Sequence, residues 1–318
     1  MNSSKVLIIT NKEDITVDFV VNELNKRRID FYRLNTEEIG KSLDVYFDLD
    51  SSKFLLYDEG VAININSFKS VYYRRPKAPE ANGLTVGEQV YYVREHEALL
   101  EGIYQVLRNK KWLNNVYSIR LAENKIYQQI VANEIGFLTP KRIITNKKDK
   151  ALHFINNGDA IFKPMKNGFI EEVNMSSKVL FTNVVDDNFK KKISSIKSMP
   201  IYFQNLIYKL SDIRVTVVGD NINVVEIDSQ NTKDAEIDWR RSQEIPHHKQ
   251  IFLDESLNKQ ILELCKRFNL KFAAIDFIRD INNKLVFLEI NPNGQWGWIE
   301  KILNINISSQ IADYLTCA

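Results

Sequence analysis

Short apolar runs alternate with segments of helical periodicity from the start of this 318-residue chain. Lys5–Thr10 is an almost continuous apolar run, which is typical of a buried strand. The apolar residues of Ile15–Arg28 then fall on one helical face, and Asp30–Leu34 has the pattern of a second strand. A strand, a helix and a strand in this order favour a β-α-β unit with parallel strands. The sequence therefore predicts an α/β fold class, with a parallel element in its first lobe.

The chain is long enough to bury more than one hydrophobic core, because 44% of its residues are apolar. We predict an N-terminal α/β domain over residues 1–117, a central lobe over residues 118–200 and a C-terminal lobe over residues 201–318. The last of these is dense in strands and ends with a predicted hairpin, Phe272–Arg279 and Lys284–Ile290.

Composition excludes few functions but sets expectations for partners. The formal net charge is +2, so the overall charge gives no reason to propose nucleic acid or membrane as a partner. No segment approaches the roughly 18 apolar residues of a membrane-spanning helix, and the first residues lack the pattern of a secretion signal. Cys265 and Cys317 have no metal-ligand spacing. We expect a cytoplasmic protein with neither nucleic acid nor membrane as a partner.

The predicted terminal hairpin carries the strongest signal for chemistry. Asp276 lies in the strand AAIDFI, and Glu289 and Asn291 lie two residues apart in LEINPN. Residues two apart share a strand face, and a tight hairpin brings the facing strand alongside. Carboxylates on a half-buried sheet are costly unless a cation compensates them, and magnesium prefers oxygen ligands. A magnesium site is one interpretation; solvated carboxylates and a turn asparagine are the other.

Several cations have two interpretations each. Lys163 ends a predicted strand, and Lys125 lies on an early helix; either is a phosphate ligand or an ordinary surface lysine. Arg214 interrupts an apolar strand and needs an anion, which is either a nearby aspartate or a phosphate. Arg240, in DWRRS, belongs to a basic loop that is either solvated or catalytic. The chain has 11 glycines but neither G-x-x-x-x-G-K-[ST] nor G-x-G-x-x-G, so any ATP would be held by side-chain cations and metals.

These motifs form an ordered set. The order is Lys125, FKP around Lys163, QNLI from Gln204, DIRV from Asp212, DWR ending at Arg240, IDF around Asp276 and LEINPN with Glu289 and Asn291. From about Ser118 onward the set resembles the ATP-grasp superfamily, and Lys5–Arg75 resembles the α/β domain that precedes it there. The resemblance implies a pre-ATP-grasp domain followed by a two-lobed ATP-grasp fold with the nucleotide between the lobes.

The resemblance also implies a role for each matching position. The residues implied to contact ATP are Lys125 and Lys163 at the phosphates, Gln204, Asn205 and Leu206 at the adenine hinge, and Asp212 near the ribose. Arg214 and Arg240 would act at the transferred phosphoryl group, while Asp276, Glu289 and Asn291 would hold two magnesium ions. Many relatives have glutamate where Asn205 stands. A general base for the attacking group is not evident.

Within the superfamily, YYRRP, DWRRSQ and NPNGQWGWIE resemble the graspetide maturases, including the microviridin and grasp-with-spasm types. That resemblance implies ATP-dependent activation of Asp or Glu side chains in a ribosomal precursor peptide with an acidic core. The activated carboxyls would close onto Ser or Thr hydroxyls as esters, or onto Lys amines as amides. Arg74 and Arg75 would contact the precursor, and a homodimer is possible as in look-alike enzymes. The alternatives are a ligase that adds an amino acid to a protein or metabolite, and a non-catalytic nucleotide-binding scaffold.

Overall fold

The computed structural model describes residues 5–166, the backbone of 169–170 and 178–179, and residues 182–230 and 246–317. These residues form mixed helix and sheet lobes, which confirms the predicted fold class. None of the helices in these ranges has the length and apolarity needed to cross a membrane.

The first domain combines a parallel sheet with an antiparallel meander. Its elements are β1 (Val6–Thr10), α1 (Ile15–Lys26), β2 (Phe31–Asn35), β3 (Leu43–Asp48), β4 (Lys53–Asp58), β5 (Val61–Asn64), β6 (Ser70–Tyr73), α2 (Val86–Val106) and β7 (Lys111–Trp112), with 3-10 turns at Thr36–Glu38 and Ile65–Ser67. The parallel sheet has the order β2-β1-β6-β7, and β3-β4-β5 is the meander. Thr85 begins α2 with a capping box that Glu88 completes, which satisfies backbone N–H groups of the first turn.

Two helices follow, α3 (Val116–Ala122) and α4 (Lys125–Ile135). Gly136 ends α4 in the left-handed conformation, at φ 91°, which is a common way for a helix to end. The buried side chains of α4 belong to the core of the C-terminal sheet. Helix α4 therefore belongs to the C-terminal lobe, although it lies within residues 118–200, which we predicted to form the central lobe.

The central lobe is an antiparallel sheet covered by short helices. Its elements are β8 (Arg142–Thr145), α5 (Lys148–Asn156), β9 (Ala160–Lys163), β10 (Phe169–Ile170), β11 (Lys178–Val179), β12 (Asn183–Val184), α6 (Asp187–Lys191), a 3-10 helix (Ile193–Ser198) and β13 (Ile201–Asn205). The sheet order is β12-β9-β13-β8, with β10 and β11 paired separately. Because β13 pairs with β8 and β9, the central sheet continues to Asn205, beyond the predicted boundary at residue 200.

The C-terminal lobe is a five-stranded antiparallel sheet with helices on both faces. Its elements are β14 (Lys209–Val218), β15 (Asn221–Ile227), β16 (His248–Ile251), α7 (Glu255–Arg267), β17 (Phe272–Asp280), β18 (Leu285–Asn291), α8 (Gly297–Leu303) and α9 (Ile307–Thr316). The strand order is β16-β15-β14-β17-β18. One face carries apolar residues that pack under α4 and α7, whereas the other face carries the polar residues considered below.

The first domain and the C-terminal lobe share one hydrophobic core. It joins Val20 and Leu24 of α1 to Phe272 of β17 and to Ile311 of α9. Trp296, which is fully buried, lies in the same core and packs edge-to-face on Phe19. This packing fixes the loop after β18 against the first domain.

Candidate active site

The strand register brings the three predicted metal ligands together. Asp276 of β17 lies directly opposite Glu289 of β18, and Asn291 lies opposite Ala274. Opposite residues of an antiparallel pair point to the same face, so the three oxygen-bearing side chains share a face. The register shifts just after Asp276, and such bulges commonly reorient side chains beside active sites.

Arg214 completes this polar face from the neighbouring strand β14, where it pairs with Asp276. Its Nε lies 3.3 Å from Oδ1 of Asp276, and the residue is only 7% exposed. Its Nη1 has no hydrogen-bond partner among the described residues. Asp212, two residues earlier, lies 2.6 Å from Nζ of Lys209 in a buried ion pair. An arginine that is buried with unused donors is suited to bind a phosphoryl oxygen.

Lys125 connects this face to the central lobe. Its Nζ lies 3.3 Å from a carboxylate oxygen of Glu289 and donates to the carbonyl of Pro164 at 3.2 Å. Lys163, next to Pro164, places its Nζ 5.1 Å from the centre of the Tyr202 ring. Burial raises the pKa of Tyr202, and the Glu289 carboxylate adds to that rise. The central sheet therefore faces the metal-ligand candidates, and both predicted phosphate lysines lie at the junction of the lobes.

The predicted adenine hinge lies where the central sheet ends. Gln204 and Asn205 close β13, and residues 206–208 lead into β14. The N–H groups of Asn205 and Leu206 donate to the carbonyls of Lys141 and Asp159. Recognition of adenine by these residues would therefore use other groups. Gln204 is 2% exposed, and its Oε1 has no hydrogen-bond partner among the described residues, so this acceptor could receive the adenine amino group.

The donor set fits magnesium with bound phosphates. Within the described ranges, no group of three or more His, Cys, Asp or Glu side chains is placed to hold a metal. The set here has two carboxylates, and Asn291 supplies an amide oxygen in place of a third. Magnesium typically takes few protein ligands and completes its shell with water and phosphate oxygens. The two carboxylates already face Arg214 and Lys125, so the charges around the site suit a metal-bound phosphate.

The two predicted peptide-binding arginines differ in position. Arg75 is exposed at the end of β6, where its carbonyl accepts from Nδ2 of Asn11. Arg74 is 2% exposed and binds the carbonyls of Asn293 and Gly294, so its position does not present it to a peptide. Arg240 lies outside the described residues.

Sequence reasoning gave no role to Gly294, although it lies at the centre of the site. A Cβ there would overlap Cβ of Ala274 and approach Nη1 of Arg214 to 3.5 Å. Glycine therefore lets the loop lie flat on the sheet beside Arg214. The only sequence signal was its place in the turn-rich stretch NPNG.

His248 opens β16 opposite Ile227, which pairs on its other side with Asp212. It is buried against Trp298, with ring centres 5.0 Å apart. Burial lowers its pKa, which favours the neutral imidazole. It thus lies on the same sheet face as the site, two strands from Arg214.

Family models match nearly the whole chain in two parts. Residues 5–120 match the MvdD pre-ATP-grasp domain, and residues 122–315 match the RimK-like ATP-grasp domain. The chain belongs to the RimK-like ATP-grasp family. It is therefore an ATP-dependent ligase with a pre-ATP-grasp domain, as the sequence motifs predicted.

Solved structures of other ATP-grasp ligases have the same fold over their full length. A RiPP-associated ATP-grasp ligase from Chryseobacterium gregarium, solved with ADP and a leader and core peptide, is 28% identical with a TM-score of 0.88, covering 98% of this chain and 96% of that one. The macrocyclase MdnB from Microcystis aeruginosa is 27% identical, with a TM-score of 0.83 and coverage of 99% and 100%. The macrocyclase MdnC from the same organism, solved with precursor peptide MdnA, has a TM-score of 0.89 at 24% identity, with the same coverage. No curated protein matches the chain.

Proposed function

We propose that this ATP-grasp ligase joins Asp or Glu side chains of a ribosomal precursor peptide to hydroxyl or amine side chains of the same peptide, forming macrocycles. The observation that carries the proposal is the gathering of Asp276, Glu289 and Asn291 on one sheet face between Arg214 and Lys125. The peptide substrate is supported by the similar ligase that was solved with a leader and core peptide.

The chemical problem is that a carboxylate is a poor electrophile. Transfer of the terminal phosphoryl group of ATP to a peptide carboxylate gives an acyl phosphate and ADP. A Ser or Thr hydroxyl then gives an ester, or a Lys amine gives an amide, and phosphate leaves. Both steps place negative charge on phosphoryl oxygens, so catalysis depends mainly on positioning and charge stabilisation.

The cations at the lobe junction would supply that stabilisation. Lys125 and Lys163 would hold the ATP phosphates, and Arg214 would bind the transferred phosphoryl group through its unused donors. Arg240 would join Arg214, as implied by the family motif. Gln204, Asn205 and Leu206 would hold the adenine, and Asp212 would lie near the ribose.

Asp276, Glu289 and Asn291 would hold two magnesium ions. Bound magnesium neutralises charge on the phosphate oxygens and orients them. The protein holds the ligands ready because two of them are paired across adjacent strands rather than placed on a loop. Movement of the central lobe about residues 206–208 would then exclude water, which would otherwise hydrolyse the acyl phosphate.

The test is to incubate the protein with ATP, magnesium and an Asp- and Glu-rich precursor peptide, and to follow the peptide by mass spectrometry. We expect ADP release with loss of one water from the peptide for each bond formed. Hydroxylamine or mild base then distinguishes esters from amides. Gain of an amino-acid residue would instead identify a ligase that adds free amino acids. Absence of ADP release with every acidic peptide would refute the proposal.

A further inference from the structure

Arg74, one of the two predicted peptide-binding arginines, has no role in the proposed chemistry. It lies at the end of β6 in the first domain, yet its side chain is almost fully buried. Its Nη1 donates to the carbonyls of Asn293 and Gly294 at 3.0 and 3.1 Å, and its Nη2 donates to Oε1 of Gln295 at 2.7 Å. All three acceptors belong to the loop that follows the last predicted metal ligand, Asn291.

The orientation of Arg74 is itself fixed from the first domain. Its Nε lies 3.3 Å from Oδ2 of Asp14, whose two carboxylate oxygens are buried, and Thr10 donates to the same Oδ2 at 3.0 Å. Thr16 donates to Oε1 of Gln295 at 2.5 Å, beside the Arg74 contact. The planar guanidinium therefore spans a fixed anion on one side and the loop on the other.

The loop transmits this position to Asn291. The N–H of Asn293 donates to Oδ1 of Asn291 at 3.0 Å, while the carbonyl of the same Asn293 receives the hydrogen bond from Arg74. An amide oxygen has two lone pairs, so Oδ1 keeps one for a metal. Donation to Oδ1 also selects the rotamer that points the oxygen, and not the amino group, in this direction. The next residue, Gly294, lies against Ala274 and Arg214.

We propose that Arg74 is a positioning residue, which acts from the first domain to hold Asn291 in the orientation that binds the metal. The inference rests on the proposed function, because it assumes that Asn291 is a metal ligand. It gives the first domain a part in metal binding that contacts between the two ATP-grasp lobes do not supply. Removing a direct hydrogen-bond partner of a metal ligand typically lowers metal affinity by about 10- to 100-fold. Arg74 acts one hydrogen bond further away, through Asn293, so we expect an effect at the lower end of that range.

The chain offers a matched control in Arg27. This arginine also ties the first domain to the C-terminal lobe, through Asp313 at 2.6 Å and Ser309 at 2.7 Å, but it contacts α9 far along the chain from the metal loop. Arg27→Met therefore removes an interdomain arginine without touching residues 291–295. Comparing Arg74→Met with Arg27→Met separates a specific effect on the metal from a general loosening of the two domains.

The experiment measures binding of Mn²⁺, a paramagnetic substitute for Mg²⁺, to the full-length protein saturated with ADP, by the electron paramagnetic resonance of free Mn²⁺. We expect Arg74→Met to weaken Mn²⁺ binding about 10-fold, with ADP binding in the absence of metal unchanged. Arg74→Lys, which keeps the charge without the planar fork, should fall between wild type and Arg74→Met. Arg27→Met should lower the melting temperature and bind Mn²⁺ like wild type.

Several outcomes overturn the inference. A folded Arg74→Met protein with wild-type Mn²⁺ affinity does so, and so does an equal loss in Arg27→Met. If Arg74→Met does not fold, because Asp14 is left buried without its cation, the double variant Asp14→Asn with Arg74→Met decides. It removes the buried anion together with the guanidinium, and unchanged Mn²⁺ affinity in the folded double variant refutes the inference. A wild-type protein that binds no Mn²⁺ with ADP refutes the proposed metal site as well, whereas normal wild-type binding leaves that proposal intact.

Discussion

A carboxylate oxygen of Glu289 lies 3.3 Å from Nζ of Lys125, a residue far away in the sequence. Glu289 also lies opposite Asp276 on the adjacent strand. Glu289→Gln keeps the shape of the side chain but removes its charge. We expect ADP release with magnesium and peptide to fall by at least about 100-fold, the scale of losing one member of a preorganised charge-stabilising set. The melting temperature should change little because the carboxylate is partly exposed.

The matched control is Glu263→Gln, which removes an exposed carboxylate from α7. Its ADP release should equal that of wild type. A folded Glu289→Gln protein that retains substantial turnover would contradict the assignment of Glu289 to the metal.

Another carboxylate of the same sheet, Glu226, lies among hydrogen-bond donors and is expected to contribute to stability. Although burial raises its pKa, hydrogen bonds from Ser211, Arg279 and Lys249 lower it to about 2, below the ordinary 4.5. Because the pKa is lower in the folded state, the stabilisation is fully present above pH 4.5 and is lost as the pH falls toward 2. The difference corresponds to about 3 kcal/mol of unfolding free energy.

We therefore expect Glu226→Gln to be less stable than wild type at neutral pH and to lose less stability on acidification. Urea unfolding at neutral pH and near the lower end of this range measures both. Glu95→Gln, which removes an exposed carboxylate from α2, should keep the wild-type pH dependence. If the unfolding free energies of wild type and Glu226→Gln fell equally with pH, the contacts of Glu226 would not be the source of the pH-dependent stability.

At the residue scale, the sequence predicted the trio at Asp276, Glu289 and Asn291, because hairpin spacing alone places such residues on one face. It could not predict the location of Arg74. A basic pair at a strand end has the same pattern whether it faces water or a buried loop more than two hundred residues away. Only the packing of the first domain on the C-terminal lobe decides which arginine is buried.

Among the elements, turns with a local cause were predicted well and boundaries set by tertiary contacts were not. Gly219-Asp220 lies between two apolar runs and therefore predicts a tight hairpin. In the structure it joins β14 to β15, with Gly219 at φ 59°. By contrast, the helical pattern of Leu121–Ile135 predicts a single helix, whereas the structure divides this segment between α3 and α4. The Asn124 side chain accepts hydrogen bonds from the N–H groups of Ile126 and Tyr127 and so begins α4. The pairing of β13 with the central sheet could likewise not be predicted from the local sequence pattern.

The loop between β18 and α8 depends on one backbone position, Gly294. Gly294→Ala would place a methyl group into Ala274 and against Arg214, so the loop must move. We expect a loss of about 1–3 kcal/mol in stability, the usual cost of overpacking, together with weaker metal binding and turnover. Calorimetry and ADP release measure the two effects.

Gly87→Ala is the control for this substitution. Gly87 lies in the first turn of α2 with nothing within 4 Å of its Cβ position, so alanine should not lower stability. If Gly294→Ala behaved like Gly87→Ala, the close approach of this loop to the sheet would have no functional importance.

At the scale of the whole molecule, one hydrophobic core crosses the boundary between the two family domains. One core joins the first domain to the C-terminal lobe through α1, β17 and α9, in addition to a core within each of these two parts. The central lobe has a core of its own between α5 and the central sheet. The sequence predicted three lobes from strand and helix order, but it could not show that two of them are stabilised together. That fact depends on contacts between segments far apart in the chain.

The arrangement of these cores predicts which strands lose stability when one core residue is truncated. Ile311→Ala creates a cavity at a fully buried position of the shared core, and Ile155→Ala creates one at a buried position of the central-lobe core. Each should cost about 2–5 kcal/mol in the unit that contains it. In native-state hydrogen exchange, Ile311→Ala should lower the protection of β1 and β17 together, because both strands pack on the same core. Ile155→Ala should lower the protection of β9 and β13 and leave β1 and β17 as in wild type. If Ile311→Ala lowered protection only in β17, the first domain would be stable by itself. The contact through which Arg74 is proposed to act would then be a surface contact between two independent domains.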